Sequence, residues 1–153
     1  VQARRIFFTD ACTGWDMKPL DESKSDIRIL VVDDLTSMRK VVRKLLTSLG
    51  YANVREARDA SEAVRMLSLG EFDLIISDWN MPTMSGHQLL EFVRSRARYE
   101  RVPFVMLTMQ ADKQSVLAAK QSGVSDYLVK PFTVGELEEK LQRLLHKAPR
   151  DIP

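Results

Sequence analysis

The sequence predicts an α/β domain: a doubly wound, five-stranded parallel sheet with helices on both faces. Three observations carry that expectation. From Ile27 onward, short apolar runs of strand length alternate five times with stretches of helical periodicity. The runs Ile27 to Val32, Leu74 to Ser77 and Phe104 to Leu107 are nearly continuous in apolar residues, as strands covered on both faces must be. Reactive polar residues follow these runs, where open α/β sheets place their chemistry.

The first strand, Ile27 to Val32, feeds a helix on which Leu35, Met38, Val41, Val42, Leu45, Leu46 and Leu49 recur at helical spacing. Arg39, Lys40, Arg43 and Lys44 fall on its other face, and Gly50 stops it. Val54 to Ala57 is a shorter, more polar second strand. Asp59-Ala60-Ser61-Glu62 has the form of a capping box, opening a helix with Ala63, Val64 and Leu67 that stops at Gly70. After the third strand, Leu74 to Ser77, a loop through Pro82 and Gly86 leads to a helix carrying Leu89, Leu90 and Val93. Phe104 to Leu107 is the fourth strand, Asp112 to Ser122 the fourth helix, and Tyr127 to Val129 the fifth strand. A second capping box, Thr133-Val134-Gly135-Glu136, opens the last helix, with Val134, Leu137, Leu141, Leu144 and Leu145. With the most apolar strands central and the second and fifth at the edges, the order is 2-1-3-4-5, the flavodoxin-like arrangement.

Residues 27–146 read as one domain, preceded by a flexible extension over residues 1–26 and followed by a tail, residues 147–153. The extension holds Arg4, Arg5, the patch Ile6-Phe7-Phe8 and Trp15, and Met17-Lys18 offers an alternative start. The 153 residues carry a formal charge of +2, too small to imply nucleic-acid binding. The single cysteine, Cys12, excludes an intramolecular disulfide and a cysteine-based metal site. No apolar run is long enough to span a bilayer and the amino-terminal patch is too short for a signal peptide, so the expected location is cytoplasmic.

Four strand ends share one crevice in this fold. They carry Asp33-Asp34, Asp78, Thr108 and Lys130. Three neighbouring carboxylates repel one another unless a cation intervenes, and a hard divalent ion such as Mg²⁺ suits two or three carboxylates and a carbonyl. Lys130 adds a mobile positive charge and Thr108 a hydroxyl donor. Such a set fits in-line transfer of a phosphoryl group to the Asp78 carboxylate. Each residue alone has an ordinary explanation: a helix cap, a solvated acid, a surface lysine. Their coincidence at four strand ends does not.

Val31-Val32-Asp33-Asp34, Ile76-Ser77-Asp78-Trp79-Asn80-Met81-Pro82, Leu107-Thr108, Tyr127-Leu128-Val129-Lys130-Pro131-Phe132-Thr133 and Leu137-Glu138-Glu139-Lys140-Leu141 together resemble the response-regulator receiver domain of two-component signalling. Within that family the likeness is to the stand-alone chemotaxis regulators of the CheY type, over residues 27–146. The resemblance implies that Asp78 accepts a phosphoryl group from a histidine kinase. It implies that Asp34 and Asp78 ligate Mg²⁺ directly, the Asn80 carbonyl as a third ligand, and Asp33 mainly through water. Thr108 would bond the phosphoryl oxygen, Lys130 would pair with it, and Tyr127 would be an aromatic switch. A cis Lys130-Pro131 bond is also implied. Met109 stands where the family commonly has a small residue and Gln110 where CheY-like chains often have an acid. With Asn80, these two are expected to modulate access to the site. Lys113, Tyr127 and Lys140 are expected on a partner surface made by the fourth helix, fifth strand and fifth helix.

The implied function is a switch, not an enzyme, although it takes phosphoryl groups from donors and loses them unaided. Its expected partners are a histidine kinase or phosphotransfer protein upstream and a target such as the flagellar motor switch downstream. A phosphate sink or phosphorelay intermediate would use the same site. A metal-dependent aspartyl-phosphate phosphatase is disfavoured: a common family of that kind carries a second acid two residues after its nucleophile, whereas here Leu35 follows the Asp33-Asp34 pair and Asn80 stands two residues after Asp78. The absence of a glycine-rich loop after the first strand disfavours a nucleotide or flavin module. The pattern leaves no DNA-binding output domain.

Overall fold

A computed structural model of the chain describes residues 22–109 and 113–146. Its elements are α1 Glu22–Ser25, β1 Ile29–Val32, α2 Thr36–Ser48, β2 Val54–Ala57, α3 Ala60–Leu69, β3 Leu74–Asp78, α4 Gly86–Ser95, a 3₁₀ turn Ala97–Tyr99, β4 Phe104–Thr108, α5 Lys113–Gln121, β5 Asp126–Val129 and α6 Val134–His146. All strand pairs are parallel and the order is β2-β1-β3-β4-β5, as the sequence predicts.

The central strands are buried on both faces. Leu30, Val32, Ile75, Phe104 and Met106 face α3 and α4. Ile29, Val31, Leu74, Ile76, Val105 and Leu107 face Val42 and Leu46 of α2 and Leu137 and Leu141 of α6. The alternation along each strand therefore divides one sheet between two cores.

Helix ends follow local chemistry. Asp59 caps α3 by accepting the Glu62 N–H at 2.7 Å, and the Glu62 carboxylate reaches back to the Arg58 N–H. Thr133 and Glu136 form the reciprocal capping box of α6. A second reciprocal box, Ser85 with Gln88, starts α4 directly at Gly86, where the sequence pattern suggests a loop. Gly50 and Gly123 take positive φ just past α2 and α5, and in each case the next N–H folds back on the helix, Tyr51 to Leu46 and Val124 to Ala119.

Some expectations shift. β1 starts two residues later than Ile27, and β3 and β4 extend to Asp78 and Thr108. Leu35 and Val41, expected on the apolar face of the first long helix, are exposed, because Leu35 precedes the helix and Val41 lies at the margin of its buried stripe. Val134 is also exposed, as the first residue of α6. Arg39, expected on the solvent face, is turned inward, with its side chain 13% exposed. At the edge of the extension, Glu22–Ser25 is helical, and Lys24 donates to the Leu49 carbonyl at 3.2 Å beside the Tyr51 ring. Residues 1–21, including Trp15 and Met17, and residues 147–153 lie outside the described residues. Within those described, no helix is long and apolar enough to cross a membrane.

Candidate functional site

Because β1 and β3 are neighbours in register, the acids at their ends lie side by side. Carboxylate oxygens of Asp33, Asp34 and Asp78 fall within 4.8 Å of one another. Lys130, just beyond β5, donates from Nζ to Asp78 Oδ1 at 2.8 Å and to Asp33 Oδ2 at 3.4 Å. Asp33 is fully buried, Asp78, Lys130 and Thr108 nearly so, and Asp34 is exposed. Asp33 Oδ1 accepts the Leu35 N–H at 2.9 Å. Burial pushes the Asp33 carboxyl above the usual carboxylate range and the Asp78 charge adds to this. The Leu35 N–H and Lys130 oppose it without cancelling it. Three carboxylates thus cluster with one ammonium on two of them, a donor set that fits a divalent cation.

The backbone around Asp78 is clamped. The Trp79 N–H donates to the Leu107 carbonyl at 2.8 Å, tying the turn to β4. The Gly86 N–H donates to the Trp79 carbonyl at 2.8 Å, and a Cβ on Gly86 would lie 2.1 Å from the Asp78 carbonyl oxygen. Only glycine admits that approach. The Ser77 hydroxyl donates to the same oxygen at 3.0 Å. Across the crevice, the Lys130 N–H donates to the Thr108 carbonyl at 2.8 Å, and the Lys130-Pro131 bond is cis.

The remaining sequence candidates are spread more widely. Asn80 is exposed, two residues past Asp78. Met109 is 65% exposed. Gln110 lies outside the described residues, as does the side chain of Lys113, the first residue of α5. Tyr127 on β5 is partly buried against the α3–α4 core. Lys140 Nζ stands 5.6 Å from its ring centroid and bonds Asp126 at 3.0 Å, while Arg143 pairs with the other Asp126 oxygen. Strand-end reasoning therefore finds the crevice residues but misses Gly86, Arg39 with Glu56, and Asp126. Only Gly86 left a local trace, in the Ser85-Gly86-His87-Gln88 capping pattern.

A 2-1-3-4-5 parallel sheet with clustered acids and a lysine at its carboxyl end is the frame of a receiver domain. The chain belongs to that family: the response regulator receiver domain matches residues 29–142. Chemotaxis proteins are among its relatives. It is 41% identical over 122 residues to chemotaxis protein CheY-3 of Vibrio cholerae, covering 80% of this chain and 94% of that protein. It is 41% identical over 121 residues to chemotaxis protein CheY of Pseudomonas aeruginosa, covering 79% and 98%. The solved structure of Vibrio cholerae CheY4 superposes with a TM-score of 0.73 at 37% identity, covering 77% of this chain and 98% of that one. The receiver domain of a sensor histidine kinase from Pseudomonas aeruginosa has a TM-score of 0.72 at 33% identity, covering 78% and 98%. That structure contains a magnesium ion coordinated in its active site cleft.

Proposed function

We propose that this chain is a chemotaxis-type response regulator that accepts a phosphoryl group on Asp78 from a histidine kinase and signals by binding a partner when phosphorylated. The observation that carries this reading is the nearly buried Asp78 carboxylate, 2.8 Å from Lys130 and grouped with Asp33 and Asp34 at adjacent strand ends. Asp34, Asp78 and the Asn80 carbonyl would hold Mg²⁺ directly, and Asp33 through water. When bound, the ion neutralises charge on the transferring oxygens. An Asp78 oxygen attacks phosphorus as the bond to the donor nitrogen breaks. Lys130 then pairs with a phosphoryl oxygen, and the Thr108 hydroxyl donates to another. Tyr127 responds to the movement of Thr108 and reshapes the face formed by α5, β5 and α6, with Lys113 and Lys140 as further contact candidates. The flagellar motor switch is the first target to test, and a cytoplasmic setting accords with this role. Asn80, Met109 and Gln110 set how readily donors and water reach Asp78.

The test is intact mass after incubation with Mg²⁺ and a small phosphodonor, then with histidine kinases. The expected result is one phosphate added to the wild type and none to Asp78→Asn. No addition from any donor overturns the reading. Fast transfer onward to another phosphotransfer protein, with no motor binding, would favour a phosphorelay role.

A further inference from the structure

Of the four cations on α2, Lys40, Arg43 and Lys44 are exposed and Arg39 alone is turned inward. Its guanidinium joins three elements. Nη1 donates to the Asp33 carbonyl at 2.8 Å, Nε to the Glu56 carboxylate on β2 at 3.2 Å, and Nη2 to the Thr36 hydroxyl at 3.2 Å. Every other polar group of Asp33 is also held: its N–H by the Ala57 carbonyl at 3.2 Å, one carboxylate oxygen by the Leu35 N–H, the other by Lys130.

The Asp33 carbonyl belongs to the peptide plane that leads into Asp34. The direction of that plane sets where the Asp34 side chain points. Asp34 is exposed, so packing does not orient it. We propose that Arg39, braced by Glu56, is a positioning residue that fixes this plane so that the Asp34 carboxylate faces Asp78, holding the acidic triad ready for a divalent ion. This rests on the reading of that triad as a Mg²⁺ site.

Electrostatics alone predicts the opposite sign. Arg39 is a cation near a dication site, so removing it should tighten Mg²⁺ binding if charge were all that mattered. Positioning predicts weakening, as when a residue that orients a metal ligand is lost. Arg43 separates the two. It bonds the other Glu56 oxygen at 3.0 Å and carries the same charge. It is not bonded to Asp33.

The experiment is calorimetric titration of the full chain with Mg²⁺, in wild type, Arg39→Met, Arg43→Met and Arg39→Lys, with stability measured in urea alongside. The expected result is about tenfold weaker binding in Arg39→Met. Arg43→Met should bind as the wild type does or slightly more tightly. Arg39→Lys keeps the charge but loses the planar fork, and should bind more weakly than wild type while staying folded. If Arg39→Met does not fold, Arg39→Lys decides. Unchanged or tighter binding in the Arg39 variants overturns the positioning role, as does equal weakening in Arg43→Met. Failure of the wild type to bind Mg²⁺ overturns the metal reading itself, and this role with it.

Discussion

At the crevice, three carboxylates cluster and one ammonium, Lys130, bonds two of them; on the β5–α6 face, one carboxylate, Asp126, is shared by Lys140 and Arg143. Burial acts the same way on both carboxyls, and their neighbours decide opposite outcomes. Burial raises the Asp33 carboxyl, the Asp78 charge adds to it, and Lys130 is too little to reverse the shift. Burial also works against ionised Asp126, yet the hydrogen bonds from Lys140 and its neighbouring Tyr127 N–H, with the charges of Lys140 and Arg143, hold that carboxyl below the usual range. A carboxylate matched by more cations than it needs is a brace. A cluster left with excess negative charge offers the oxygen donors that a divalent cation would need.

The comparison can be broken most severely at Gly86. Gly86→Ala forces a methyl group onto the Asp78 carbonyl and should cost about 2–3 kcal/mol in urea denaturation, with loss of Mg²⁺ binding. A stable variant with normal binding would mean that the clamp is not needed. Next is the ion itself. Mg²⁺ at about ten times its dissociation constant should stabilise the wild type by roughly 1.4 kcal/mol, and chelation should remove the gain. Asp126→Asn should keep that gain, whereas Asp34→Asn should lose most of it.

Acid titration sharpens the contrast further. Asp126, lowered on folding, contributes stability that is complete above the ordinary carboxylate range and is lost as pH falls through its lowered pKa. Asp33, raised on folding, has the opposite sign: stability is lost as pH rises from the ordinary value through the raised one. Asp126→Asn should therefore cost about 1 kcal/mol near neutral pH and flatten the acid limb. Asp33→Asn should gain on the order of 1 kcal/mol without metal and steepen that limb. Urea titrations at stepped pH check both signs. The smallest effect belongs to Met109→Ala. Shortening this exposed side chain should change the rates of phosphorylation and dephosphorylation a few-fold by opening access to Asp78, and unaltered rates would sink that idea.

The sheet was legible because its central strands are apolar on both faces, and its order followed from which strands were not. Boundaries slipped where the deciding fact was a hydrogen bond to a neighbouring strand, as at Asp78 and Thr108. The short helix Glu22–Ser25 was invisible because four residues carry no period. The crevice residues could be read because they follow strands in chain order. Arg39 could not: periodicity assigns it a face, but only the pairing of β2 with β1 brings Glu56 within reach to turn it inward. Gly86 was read as a turn residue for the same reason, since its close contact is with the end of β3, not with its own loop.

The pair Asp33 and Lys130 spans 97 positions of the chain. Bringing such distant residues together carries a loop-closure entropy that local contacts do not. The crevice is therefore complete only when β5 has joined the sheet and Lys130 has swung across it. A nascent chain, or one truncated before β5, holds the acids without their lysine. If Asp78 takes up phosphate as proposed, a chain lacking β5 would offer that acid without Lys130, so the yield of uptake would report on the docking of β5 as well as on the chemistry at the end of β3.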